Sequence, residues 1–239
     1  MRSSSTVLFL CLVVGCGGGG GGGGGDDSPD AAIEVPAMVT ISGMAQKRDG
    51  VNSYPAPDVT IEAYSTADPS TPVVTGTSDA SANFAIAIPT GGTPVDGYLK
   101  ATLPGYLDTY EYPPHALAAD LRVSLQVPTT NTTDLLSGTF CGSVQDYANG
   151  IVALTVTDAD GMPVAGATIS SDPAPLKYCY NLNGYPNKTA TQTDVDGIAY
   201  LINVPAGKVT MNGNKSGTTF RTHVINARAN TMTLTQVSP

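Results

Sequence analysis

Tryptophan is absent from the 239 residues, and the chain carries only two histidines and 11 basic residues against 20 acidic ones. Without tryptophan, a flat carbohydrate platform lacks its largest ring. The longest basic cluster is Lys47-Arg48, so nothing supplies the row of cations that neutralises phosphates, and nucleic acid is excluded as a partner. His115 sits in a Pro113-Pro114 loop and His223 on a strand-like segment, and neither has a nucleophile or metal motif around it. With no constellation of base, nucleophile or ligands, the expectation is a protein that is not an enzyme and carries no cofactor or metal. His223 alternates with Phe220, Thr222 and Val224 and is expected to face solvent.

Helical periodicity is also missing. Beyond the first fifteen positions no long stretch places apolar residues at i, i+3, i+4 and i+7, whereas Thr, Val, Ile and Tyr recur in alternating runs. Frequent glycine (27) and proline (18) with only 13% charged residues complete the picture of short strands joined by turns. The chain is therefore expected to be all-β, built of small antiparallel sandwiches.

The first fifteen residues have the shape of a signal peptide: Arg2, a Ser/Thr stretch, the apolar run Val7 to Val14, then Gly15 before Cys16. That run is too short to cross about 30 Å of hydrocarbon, which needs about 20 residues. Val13-Val14-Gly15-Cys16 resembles the bacterial lipobox, and the resemblance implies that Cys16 becomes the new N-terminus carrying a diacylglycerol and a further acyl chain such as palmitate. Several chains make such an anchor stable. Gly17 stands where an Asp would resemble an inner-membrane retention signal, so the expected address is the bacterial outer membrane, on its periplasmic or surface face. Losing Arg2 leaves 10 basic against 20 acidic residues, a formal balance of −10. Gly17 to Gly25 and the following Asp26-Asp27-Ser28 cannot bury apolar surface and read as a flexible tether. Nine glycines give a span of about 15 to 18 Å.

Two segments repeat. Pro55-Ala56-Pro57-Asp58-Val59-Thr60-Ile61 matches Pro163-Val164-Ala165-Gly166-Ala167-Thr168-Ile169, and Thr77-Ser78-Asp79 with Phe84 to Gly91 matches Thr193 to Gly197 with Tyr200 to Gly207. Leu121 to Pro128 likewise echoes Thr233 to Pro239. A period near 110 residues marks a duplicated domain. Asp49-Gly50, Asp160-Gly161 and Asp196-Gly197 supply turns that need positive φ, which glycine adopts freely. Ser81-Ala82 stands where the second copy has Asp196-Gly197, so a different turn is expected there.

The series Asp160 to Ile169, Thr193 to Gly197 and Val204 to Gly207 resembles carboxypeptidase regulatory-like domains, the transthyretin-like sandwiches related to starch-binding-like folds. The resemblance covers roughly 150–238, and more weakly 37–128, where Asp58 and Ala82 replace Gly166 and Gly197; Leu103-Pro104-Gly105-Tyr106 resembles the family's Gly-Tyr element. The catalytic domain after which the family is named is absent, so no zinc ligands carry over. The expected organisation is a signal at 1–15, lipidated Cys16 and tether over 16–36, a first sandwich at 37–128, an extended linker at 129–136, and a second sandwich at 137–239. Ile41, Val59, Ile61, Phe84, Ile86, Ile88, Leu103, Val123 and Leu125 form the expected first core. Leu154, Val156, Ile169, Leu201, Val204, Val209, Phe220, Val224 and Leu234 form the second.

Cys11 belongs to the leader and Cys16 to the lipid, which leaves Cys141 and Cys179. In an oxidising compartment a disulfide is expected, worth roughly 3 to 4 kcal/mol on the loop-entropy argument and tying the longer second-copy loop to an added strand near Phe140. Two buried thiols, or a metal or redox role, are the alternatives. Asp158-Ala159-Asp160-Gly161 and Asp194-Val195-Asp196-Gly197 resemble calcium loops only in part, and turn chemistry accounts for them.

The stretch with the best claim to bind something is Tyr178 to Asn187, where Tyr178, Tyr180 and Tyr185 alternate with Asn181 and Asn183. Aromatic faces beside amides grip sugars or proteins, although tyrosines packing across a sandwich edge give the same pattern. Tyr106, Tyr110 and Tyr112 form a lesser cluster. The functional expectation is a non-enzymatic envelope lipoprotein with a structural or protein-interaction role, the alternative being a carbohydrate-binding module. An envelope protein or a glycan is the expected partner.

Overall fold

The computed structural model describes residues 34–239. The leader, Cys16 and the glycine tether lie outside the described residues. The rest is almost entirely strand. The first half runs β1 (Met38–Asp49), β2 (Asn52–Pro55), β3 (Thr60–Ser65), β4 (Val74–Thr77), β5 (Asn83–Pro89), β6 (Gly97–Thr102), β7 (Thr109–Tyr112) and β8 (Leu121–Pro128). The second runs β9 (Gly150–Val156), β10 (Thr168–Asp172), β11 (Lys177–Leu182), β12 (Tyr185–Asn187), β13 (Ile198–Val204), β14 (Gly207–Asn214), β15 (His223–Ala227) and β16 (Met232–Val237).

The duplication read from the sequence is a duplication of topology. In the first half β1 lies between antiparallel β5 and parallel β8; in the second, β9 lies between antiparallel β13 and parallel β16. Opposite them, β3-β6-β7 corresponds to β10-β14-β15, antiparallel throughout. Strand β5 alternates exposed and buried, with Phe84, Ile86 and Ile88 inside, because only one of its faces meets the core. The close approach of β1 to β8 explains Gly43: a Cβ there would lie 1.8 Å from the Val123 carbonyl oxygen.

The expected turns form, with one difference. Gly197 takes φ 67° and its N–H donates to the Asp194 carbonyl at 2.9 Å. At the matching place Ala82 adopts φ 65°, and its N–H donates to the Asp79 carbonyl at 2.8 Å. The turn expected to differ is therefore the same turn. Asp79 secures it by accepting the N–H groups of Ser81 and Asn83 on Oδ1, at 2.8 and 2.9 Å. Those bonds hold a left-handed alanine that would otherwise cost about 1–2 kcal/mol.

The stretch expected as an extended linker is helical. Thr129 caps α1 (Thr130–Asp134), accepting the Thr132 N–H, and a π-helical turn follows over Leu135–Phe140, where a strand was expected. The Ser/Thr cap satisfies a free N–H that an extended chain would leave to water. Leu136 and Cys141 then pack on the outer face of the second sandwich with Ile151, Ala153, Ile198, Tyr200, Ile202, Met232 and Leu234. This cover explains why β9, β13 and β16 are buried along their whole length instead of alternating. Cys141 and Cys179 form the expected disulfide, which fastens the helical cover to β11.

The two halves are not separate beads. Strand β16 pairs in parallel with β7, with Met232 opposite Thr109 and Leu234 opposite Glu111. One nine-stranded sheet results, in the order β12-β11-β13-β9-β16-β7-β6-β3-β4. The core lists hold for most residues, with Leu103 and Phe220 only partly covered and Leu234 buried against the helical cover instead of in the second core. Val224 is the exception at 44% exposure: β15 turns Ile225 and Ala227 inward, which puts Val224 outside.

Candidate functional site

The Tyr178–Asn187 stretch is the hairpin β11–β12, and most of its polar and aromatic groups are engaged internally. The Tyr178 hydroxyl accepts the Ser171 N–H at 2.9 Å, and the Tyr180 hydroxyl accepts the Ile169 N–H at 3.1 Å. Both rings thus strut β11 against β10, and burial raises the pKa of Tyr180. Asn181 is fully buried and donates to Asp196 Oδ2 at 2.7 Å, while the Asn183 N–H donates to Asp194 Oδ2 at 2.6 Å. Tyr185 alone of the three tyrosines remains 44% exposed. Edge packing accounts for this loop's composition. The paired aspartates likewise serve turns: Asp158 Oδ1 accepts the Asp160 and Met162 N–H groups at 3.0 and 2.9 Å.

The tyrosines of the first half come together with partners that the sequence did not suggest. Tyr106 packs beside the first core, but Tyr110 and Tyr112 belong to the second core, where they meet Tyr98. Tyr64 stacks on Tyr98 at 5.3 Å between centroids, and Tyr98 on Tyr112 at 5.0 Å. Arg228, from the turn after β15, lays its guanidinium carbon 4.8 Å from the Tyr98 centroid and 3.8 Å from that of Tyr110. Its Nη1 donates to the Tyr112 hydroxyl at 3.1 Å and to the Asn226 carbonyl at 2.8 Å. Burial raises the pKa of Tyr110 and Tyr112, and the guanidinium opposes that rise. No sequence signal marks Arg228, because its partner Tyr112 lies 116 positions away.

This cluster floors an open groove of about 410 Å³ at the junction. Thr66, Pro69 and Asp96 of the first half form one wall, and Val224, Asn226 and Lys208 of the second form the other. The volume lies within the range of roughly 300–1,000 Å³ usual for ligand sites.

Both histidines sit near the other end of the junction and each meets a hydroxyl of the C-terminal strand region. His115 Nε2 lies 3.1 Å from Ser238 Oγ, and His223 Nε2 lies 2.7 Å from Thr235 Oγ1. His223 therefore points inward, against the expectation from alternation; its strand runs in the opposite phase because Ile225 takes the core. Burial, with His115 nearby, lowers its pKa to about 4. A wide opening of about 660 Å³ lies beside His115, Arg221, Asp158 and Ser238.

Fold and site define an all-β protein of two fused β-sandwiches with an aromatic and cationic groove between them. No protein-family description matches the chain, and no curated protein matches it. Among solved structures, the shaft pilin SpaA of Lactobacillus rhamnosus GG is similar at 14% identity, over 84% of this chain and 98% of that one, with a TM-score of 0.28. The minor pilin GBS52 of Streptococcus agalactiae is similar at 10% identity, over 84% and 95%, with a TM-score of 0.27. The TIE protein of Bacillus anthracis is similar at 16% identity and a TM-score of 0.28, over 83% of this chain, which spans 33% of its length. At these scores the likenesses support no conclusion about function.

Proposed function

We propose that this chain is a non-enzymatic lipoprotein of the bacterial envelope, anchored through Cys16, whose two carboxypeptidase regulatory-like sandwiches act as one stiff interaction scaffold. The observation that carries the reading is the β16–β7 pairing. It joins both halves through backbone hydrogen bonds, so that surfaces contributed by each half keep a fixed relation. A scaffold that presents a surface composed from both halves depends on such a fixed relation. Both histidines meet hydroxyls, and Asp158, Asp194 and Asp196 accept turn N–H or amide groups, which favours a structural use for them. A lipid at Cys16 and nine glycines after it would hold the scaffold just clear of the bilayer, about 15 to 18 Å away.

The test is fractionation of cells expressing the full chain or its Cys16→Ser form, with mass spectrometry of the mature N-terminus. The full chain is expected in the membrane fraction with acyl chains on Cys16, and the variant in the soluble envelope fraction. An intact leader, or an unmodified thiol at Cys16, refutes the anchor.

A further inference from the structure

Strand β15 pairs with β14 and, among the described residues, with nothing on its other side. An unpaired edge of this kind is a ready template for another strand, and native proteins usually cover or charge it. Here the edge lines the groove. The Asn226 carbonyl points away from β14, since it accepts Arg228 Nη1 at 2.8 Å. Along a strand alternate residues turn their N–H and C=O the same way, so Val224, two residues back, directs both groups into the groove with no partner among the described residues. Its side chain is exposed as well.

The charges at that edge select the occupant. Arg228 is pinned by two rings and by the bonds from Nη1, while Nε and Nη2 donate to no group among the described residues. A guanidinium fixed in this way retains donors for a carboxylate at little entropic cost. Lys208, opposite Asn226 in the β14–β15 register and exposed, brings a second cation to the same wall. Asp96, the opposing carboxylate in the groove, is held by Thr66 Oγ1 at 2.7 Å. Two cations beside a free backbone donor and acceptor suit an extended chain with acidic side chains, with Pro69 and Val224 supplying apolar walls.

We infer that the junction groove binds an extended acidic peptide segment of a partner protein, which adds as a strand to the free edge of β15 and places carboxylates on Arg228 and Lys208. Backbone bonds to Val224 give affinity, and the two cations give the preference for acidic sequence. The inference rests on reading the chain as an interaction scaffold, and it is independent of the lipid.

The experiment is fluorescence anisotropy of the full mature chain in detergent with a labelled hexapeptide, Thr-Glu-Val-Glu-Thr-Glu, and with its counterpart carrying Gln for every Glu. Saturable binding of the acidic peptide is expected, weakened about tenfold in the Gln counterpart and about tenfold by Lys208→Glu. Val224→Pro removes the outward N–H without touching the β14 ladder and should abolish binding while the circular dichroism is unchanged. Should that variant fail to fold, the surface variant Lys208→Glu still decides. No saturable binding, equal binding of the two peptides, or binding unaffected by Lys208→Glu overturns the inference. Capture of an oligogalacturonate in place of the peptide also overturns it and marks the groove as a glycan site. None of these results bears on acylation of Cys16, which the fractionation reads separately.

Discussion

The guanidinium of Arg228 lies 3.8 Å from the ring centroid of Tyr110, a contact between the last turn of the second sandwich and a strand of the first. It covers the same junction that β16 and β7 close through their backbones. Removing it tests how much the junction depends on this side chain. Arg228→Ala is expected to destabilise the protein by roughly 1–3 kcal/mol, combining a partly buried cation–π contact with the loss of two hydrogen bonds. Arg228→Lys should recover only part of that, since an ammonium cannot lie flat on two rings. Denaturant unfolding followed by tyrosine fluorescence measures both.

Because one sheet runs through both halves, unfolding is expected as a single cooperative transition. Calorimetry of the full chain should give matching calorimetric and van't Hoff enthalpies, whereas two independent sandwiches would give two overlapping transitions.

One buried and one partly buried group set an unusual pH dependence. Glu111, on β7 between Leu99 and Leu234, is fully buried with Oε2 unpartnered among the described residues, and burial raises its pKa from 4.5 to about 8. Between those values the folded chain keeps a proton that the unfolded chain has released, so stability falls as pH rises through that window. His223 acts in the opposite direction: with a folded pKa of about 4 against 6.5 unfolded, it removes stability as pH falls across that interval. From these two groups the slopes oppose between about pH 4.5 and 6.5, and Glu111 acts alone above that. A plateau is expected, followed by a loss of about 2 kcal/mol from pH 6.5 to 8. Glu111→Gln should abolish the decline, read from melting temperatures across pH.

Ala82→Gly should stabilise the protein by about 0.5–1 kcal/mol, since glycine adopts the left-handed turn without the cost borne by alanine. Gly197→Ala should do the reverse and more, because its Cβ would meet the Val156 carbonyl oxygen at 2.5 Å. Chemical denaturation of the two variants provides the comparison.

Cys141→Ser with Cys179→Ser is expected to cost roughly 3–4 kcal/mol through the freed loop. Hydrogen exchange should then rise first around Leu136, whose segment the bridge ties to β11.

The strands, the duplication and the Asp-Gly turns were legible in the sequence because each depends on residues within a few positions of one another. Alternation in Phe84, Ile86 and Ile88 reports a half-buried strand whatever lies beyond it, and Gly197 reports its own positive φ. The Ala82 turn is not legible from residue type, because alanine disfavours positive φ and only the Asp79 bonds to the Ser81 and Asn83 N–H groups hold it there. The tyrosines of the β11–β12 hairpin were ambiguous for a related reason: a ring that binds and a ring that packs are the same residue type until a partner such as Ile169 or Ser171 is placed beside it.

Local chemistry thus determined that this chain makes two similar β-sandwiches, and set where most of their strands and turns fall. Tertiary structure decided that 130–140 becomes a helical cover, that His223 turns inward and Glu111 is buried, and that the Tyr98, Tyr110, Tyr112 and Arg228 cluster exists at all. Those outcomes depend on which sheet edges and faces meet. Thr235 Oγ1, for example, reaches the Tyr112 carbonyl across 123 residues, and such a pairing depends on the packing of whole sheets, which neither strand encodes alone.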